Sequence, residues 1–170
     1  VQGRGVERSP VQAAAWLRRA AEQGSPEGQS IFGFCCLEGF GVKKDAGQAA
    51  AWFQKSAEQG CSEGWFGLAI CYFSGAGTQQ NDRMAADLCR CAAEQGHVKA
   101  MIRRGACGLE GRGTARDLGA AEDWLCRAVK TGDAQGWKDK LDRTQALRLL
   151  AEAFYARYAA GETKAQAEER

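Results

Sequence analysis

The chain has 170 residues, a formal net charge of +2 from 23 basic and 21 acidic side chains, and a hydrophobic content of 45%. That length suits one domain or one short array, the apolar content excludes a disordered polymer, and balanced, interspersed charge leaves no footprint for nucleic acid or an anionic membrane. No apolar run approaches the ~18 residues of a membrane span, and no export signal is readable in these residues.

From the start, a Gly3-Arg4-Gly5 loop leads to Ser9, a candidate N-cap, with Pro10 at a permitted first-turn position. Ala13, Trp16, Leu17 and Ala20 follow at offsets of 3, 4 and 7, which predicts one helix face. Gly24 then stops that helix with a left-handed residue. A second helix is predicted over 26–38, ending at the loop Gly39-Phe40-Gly41. The order repeats with cap Asp45, face Ala49, Trp52, Phe53 and Ser56, stop Gly60, a helix over 62–74 and the loop Gly75-Ala76-Gly77. It repeats again with Asn81, then Ala85, Leu88, Cys89 and Ala92, stop Gly96, a helix over 98–110 and the loop Gly111-Arg112-Gly113. Asp117, Ala121, Trp124, Leu125 and Ala128 begin a fourth copy that ends at Gly132.

Ala-Glu-Gln-Gly at 21–24, 57–60 and 93–96, with a degenerate Val129-Lys130-Thr131-Gly132, fixes the period at 36 residues without insertion or deletion. Each period is a hairpin of two helices that cannot bury its apolar faces alone, so the copies stack. The prediction is an all-α, right-handed α-solenoid of TPR-like type. Most of the 22 glycines fall in five columns of this period, at helix ends, tight loops and close helix contacts. Gly67 and Gly108, inside predicted helices, have no role that the sequence assigns.

These residues resemble the Sel-1-like repeat family. Trp16 to Gly24, Trp52 to Gly60 and Leu88 to Gly96 are similar to its Trp-Tyr-x-Lys-Ala-Ala-Glu-x-Gly segment, and Gly28 to Gly33, Gly64 to Ala69 and Ala100 to Gly105 to its Ala-x-x-x-Leu-Gly segment. Gly3 to Val6 and Gly39 to Val42 match its Gly-x-Gly-Val loop. The resemblance covers about 1–141 and implies adaptor or scaffold roles. A cysteine-rich, secreted branch of the family staples its hairpin junctions with disulfides, but Ala21, Ala57 and Ala93 stand near the first of those places here.

The pattern decays from 133 onward, with Lys140-Leu141 where a Leu-Gly pair belongs. The expected organisation is a repeat array over 1–141, truncated in its first repeat and degenerate in its last, a capping helix within 142–161 and a polar tail over 162–170. The cap is predicted over 144–159, covering the array with Leu147, Leu150, Ala151, Phe154 and Tyr158 and ending at Gly161. Val1 and Gln2 fall inside an inter-helix loop, so the first hairpin lacks its leading helix, as in a fragment, a processed product or part of a longer chain.

Eight cysteines raise the question of a disulfide framework or a zinc site. Cys35, Cys71 and Cys107 share one column, and stacked helices hold equivalent positions roughly 8–10 Å apart, beyond a bridge. Cys35-Cys36 and Cys89-x-Cys91 lack metal spacing. Small apolar core filler is the expectation, which favours a reducing compartment. A Cys71–Cys89 bridge across an antiparallel helix pair is the one disulfide left open.

No catalytic constellation is legible. The single histidine, His97, falls at a hairpin junction, while Cys71, Cys89 and Cys107 fall inside helices. Glu22, Glu58 and Glu94 recur in every period, as structural residues do. No catalytic, cofactor or metal site is therefore expected. The leading-helix column Gln29, Trp65, Met101 and Trp137, with Phe66, Ile102 and Arg103 beside it and Arg104 at its rim, is the candidate groove for a partner helix or peptide. The function expected is a non-catalytic adaptor for protein partners, without nucleic acid or membrane insertion. The alternative is a permanent structural subunit of a larger complex.

Overall fold

Side-chain caps and left-handed glycines close most of the helix ends. The computed structural model describes residues 9–137 and 139–160, and these form eight helices and no strand: α1 Pro10–Glu22, α2 Pro26–Glu38, α3 Ala46–Glu58, α4 Ser62–Ser74, α5 Asp82–Glu94, α6 Val98–Glu110, α7 Leu118–Gln135 and α8 Lys140–Ala159. The loop at Gly3 to Val6, Gly161 and the tail over 162–170 lie outside the described residues. Ser9, Asp45 and Asp117 accept from the amides of Gln12, Gln48 and Ala120 at 3.4, 2.9 and 2.9 Å, and each such cap stabilises its helix by about 1 kcal/mol. At the other end Gly24, Gly60 and Gly96 turn left-handed (φ 91°, 80° and 87°). The amides of Ser25, Cys61 and His97 then reach back to the carbonyls of Ala20, Ser56 and Ala92.

The chain divides into two compact units, Val1–Asn81 and Asp82–Arg170. In the first, α2 packs on α1 and α3, and α4 on α3 and α2. Fully buried Phe53 keys this unit together. A Cβ at Gly33 of α2 would lie 2.8 Å from its ring, and one at Gly67 of α4 only 2.3 Å, so both helices give up a side chain to admit it. Gly67 thereby acquires the role the sequence did not assign. Phe34 meets the same ring edge-on at 4.7 Å. Gly64 makes room in the same way for Ser56, whose hydroxyl donates to the Pro26 carbonyl at 2.7 Å. The tryptophans of the trailing helices stay at the rim, where Arg19 lies over Trp16 and Lys55 over Trp52.

In the second unit α6 packs on α5 and α7, and α8 on α7 and α6. Buried Leu125 occupies the column of Phe53, and a Cβ at Gly105 would lie 2.5 Å from it. Gly108 lets α6 approach α7, since a Cβ there would be 3.1 Å from that of Ala121.

Two expectations are corrected in this unit. Gly132 does not stop its helix: α7 runs on to Gln135, and the turn is made by Gly136 (φ 71°). The reason is Trp137, whose indole folds back onto Gly132, where a Cβ would be 2.4 Å from the ring, and donates Nε1–H to Asp133 at 2.6 Å. The second correction concerns α8. Its buried face is Ala146, Leu149 and Ala153, while Leu147, Phe154 and Tyr158 are 42%, 51% and 83% exposed. Two alanines allow close approach to the unit, and the Arg157–Glu122 and Lys99–Asp142 ion pairs fix the rotation.

Candidate functional site

The predicted groove column turns out to be mostly core. In the first unit Gln29 is buried, donating its amide to the Ala21 carbonyl at 3.3 Å and accepting from Gln59 at 2.8 Å. Phe66 is buried beside it in sequence register, and Trp65 is half-buried. In the second unit Met101 and Ile102 are buried, Arg104 is half-buried and Arg103 is exposed. Trp137 stands on no leading helix at all, but in the link between α7 and α8. The column cannot present Gln29, Phe66, Met101 and Ile102 to a partner, because their side chains are used in packing.

The solvent side of the leading helices is a different set. On α2 it reads Glu27, Ile31, Phe34 and Glu38, with Ile31 46% exposed and Phe34 half-buried. On α4 the same column reads Glu63, Gly67, Ile70 and Ser74, with Glu63 and Ser74 exposed at its ends, Ile70 half-buried and Gly67 buried against Phe53. In the second unit it reads Lys99, Arg103, Ala106 and Glu110 on α6. Sequence reasoning missed this row, yet a signal existed: charged residues eleven positions apart, about three helical turns, mark one side of α2 and α6.

The cysteines are free thiols, and Cys35, Cys36, Cys71, Cys89 and Cys107 are buried. Burial pushes Cys71 from its ordinary 9.0 up to about 11 and Cys89 up to about 12. Cys35, Cys36, Cys107 and Cys126 are raised by burial as well, and the Cys36 thiol donates to Gln48 Oε1 at 3.2 Å. Neutral thiols thus fill the interior. No cluster of three His, Cys, Asp or Glu side chains that could hold a metal ion occurs among the described residues.

Because these thiols keep their protons above the value at which the unfolded chain loses them, their stabilising contribution is complete below about pH 9. It declines as pH rises through about 11 for Cys71 and about 12 for Cys89. Melting temperature is expected to fall across that window. In the native chain at pH 8, alkylation is expected first at half-buried Cys61, Cys91 and Cys126, and at the buried five only on unfolding. Peptide mapping that finds Cys71 or Cys89 labelled fast would contradict the packing.

His97, the only histidine, is an N-cap: its Nδ1 accepts from the Ala100 amide at 3.2 Å. The recurring carboxylates are surface partners, Glu22 with Arg18 at 2.8 Å and Glu94 with Arg90 at 3.0 Å.

A family model described as Sel1 repeat matches residues 1–25, 26–61, 65–97 and 98–133. The chain belongs to the Sel1 repeat family. Its Sel1 repeats are similar to those of the Sel1 repeat protein from Oxalobacter formigenes, with 28% identity and a TM-score of 0.64 over 84% of this chain and 69% of that one. A second similar structure is c5321, a protective antigen of uropathogenic Escherichia coli with an SLR fold, at 29% identity and a TM-score of 0.71. The match covers 88% of this chain but only 35% of that one. Cysteine rich protein B of Helicobacter pylori shares the fold at 20% identity and a TM-score of 0.57, over 79% of this chain and 98% of that one. No curated protein sequence matched. Sel1 repeats typically bind proteins, and the chain is consistent with a protein-interaction module. Among the described residues no helix is long and apolar enough to cross a membrane.

Proposed function

We propose that this Sel1-repeat chain is a non-catalytic adaptor that seats a partner helix or peptide on the solvent side of its leading helices. The observation that carries the reading is the exposure of Ile31 in the middle of α2, with Phe34, Trp65 and Ile70 half-buried on α2 and α4. These helices already bury an apolar core elsewhere, so apolar side chains kept outside it favour a binding role. Of the residues first singled out, Trp65 and Arg103 keep surface that a partner could use, while Trp137 is taken up by Gly132 and Asp133. The engagement of His97 as a cap and the protonated state of the buried thiols support a non-catalytic role.

The test is capture from a cell lysate on the immobilised full chain and on an Ile31→Asp, Trp65→Ser variant, with melting compared first. The variant is expected to lose proteins that the parent retains while melting within a few degrees of it. An unchanged captured set would overturn the assignment.

The exposed α8 side chains Leu147, Phe154, Tyr155 and Tyr158 favour a second arrangement, a permanent subunit whose α8 is covered by other chains. Size-exclusion chromatography separates the two: a soluble folded monomer supports the adaptor, and aggregation of the isolated chain supports the subunit.

A further inference from the structure

We infer that the partner seated on the first unit is a basic amphipathic helix, docked across the solvent side of α2 and α4. The inference rests on the adaptor reading and names the partner's chemistry.

Helices α2 and α4 pack side by side in this unit and carry apolar residues around their whole circumference, whereas α5 gathers its apolar residues on one face. A helix that is apolar all round is normally buried all round. Here one side keeps Ile31 exposed, with Phe34 and Ile70 half-buried beside it in the same row.

Charge selects the occupant. Glu27, Glu38 and Glu63 are the only charged residues of α2 and α4, and all three are exposed on the side that carries the apolar row. Neither helix contains a lysine, arginine or histidine. In the second unit the equivalent column carries Lys99 and Arg103, so the acidic rim belongs to the first unit. Glu27 and Glu38 are eleven residues apart, which spans about 16 Å of helix. That separation brackets Ile31 and Phe34, and it suits a partner with apolar side chains at i, i+3 or i+4 and i+7, flanked by lysine or arginine.

The test is fluorescence anisotropy of two synthetic helical peptides with the same leucine face, one flanked by lysine and one by glutamate, titrated with the full chain. The Leu/Lys peptide is expected to bind at least about tenfold more tightly than the Leu/Glu peptide, with an affinity that falls as salt rises. Ile31→Ser with Ile70→Ser should weaken the Leu/Lys peptide about tenfold, and Ile31→Ser alone, at the exposed position, should weaken it without shifting the melting curve. Glu27→Gln, Glu38→Gln and Glu63→Gln together should do the same, about 1.4 kcal/mol for three exposed pairs, and narrow the gap between the peptides. Equal affinities, a preference for Leu/Glu, or a response to the glutamates but not the isoleucines would overturn the inference. So would concentration-dependent self-association of the chain abolished by Ile31→Asp, since the occupant would then be a second copy. If the peptides fail while lysate capture still depends on Ile31, the basic helix falls and the adaptor stands. Capture indifferent to Ile31 strikes the adaptor reading itself.

Discussion

Replacing Phe53 by alanine is expected to cost about 4 kcal/mol, within the range for emptying a buried phenylalanine site, and to lower the melting temperature by on the order of 15 °C. The cost arises from what surrounds the ring. Gly33 and Gly67 have no side chains to swing into the void, and Phe34, an aromatic neighbour in edge contact, is held on α2. The lining therefore cannot collapse, and the cavity term is retained in full. Leu125→Ala is the comparison within the second unit, where a single glycine, Gly105, faces the side chain, and a smaller loss of about 3 kcal/mol is expected. Chemical denaturation of the two variants checks the order. A Phe53→Ala chain that loses less than about 1 kcal/mol would show that the ring does not key the unit.

Gly41→Ala is expected to be nearly as damaging, at about 3 kcal/mol or more. Two effects add: the residue sits at φ 69°, where an L side chain is strained by roughly 1–2 kcal/mol, and the new Cβ would lie 2.0 Å from the Pro10 carbonyl oxygen. That oxygen belongs to backbone in the first turn of α1, so it cannot rotate away as a side chain would. Gly77 and Gly113 repeat the arrangement against the carbonyls of Ala46 and Asp82, at 2.1 and 2.0 Å. Gly60→Ala separates the two effects, because φ there is 80° but nothing lies within 4 Å of the added carbon. It should cost only the backbone strain, about 1 kcal/mol. Equal melting of the Gly41→Ala and Gly60→Ala variants would refute the steric contribution.

The helix boundaries were legible because they are chemical events: an oxygen or nitrogen acceptor opens a helix and a left-handed glycine closes it. Where the event is missing, legibility ended. Val129-Lys130-Thr131-Gly132 keeps the glycine, but the fate of that glycine depends on Trp137 folding back onto it, a contact that periodicity does not encode. The orientation of α8 failed for a related reason. Leu147, Phe154 and Tyr158 make the larger apolar stripe, but the closer approach is offered by Ala146 and Ala153, and size of side chain misled where closeness of backbone decided. The binding column failed because α2 and α4 are apolar on every side, so hydrophobicity alone carries no direction. Glu27, Glu38 and Glu63, the only charged residues of the two helices, mark the side that faces water, and the sequence reading drew nothing from them.

The ties that join one hairpin to its neighbour share a common reach. Ser56 to Pro26, Gln59 to Gln29 and Arg112 to Asp82 each bridge 30 residues, and Arg157 to Glu122 bridges 35. None of them requires the far ends of a unit to meet. Each closes a loop of nearly the same length, so the entropy lost at every step is nearly equal, and no step waits on a distant one. Within each unit, order can then spread from the hairpin that forms first to the next, and contacts this local favour fast folding.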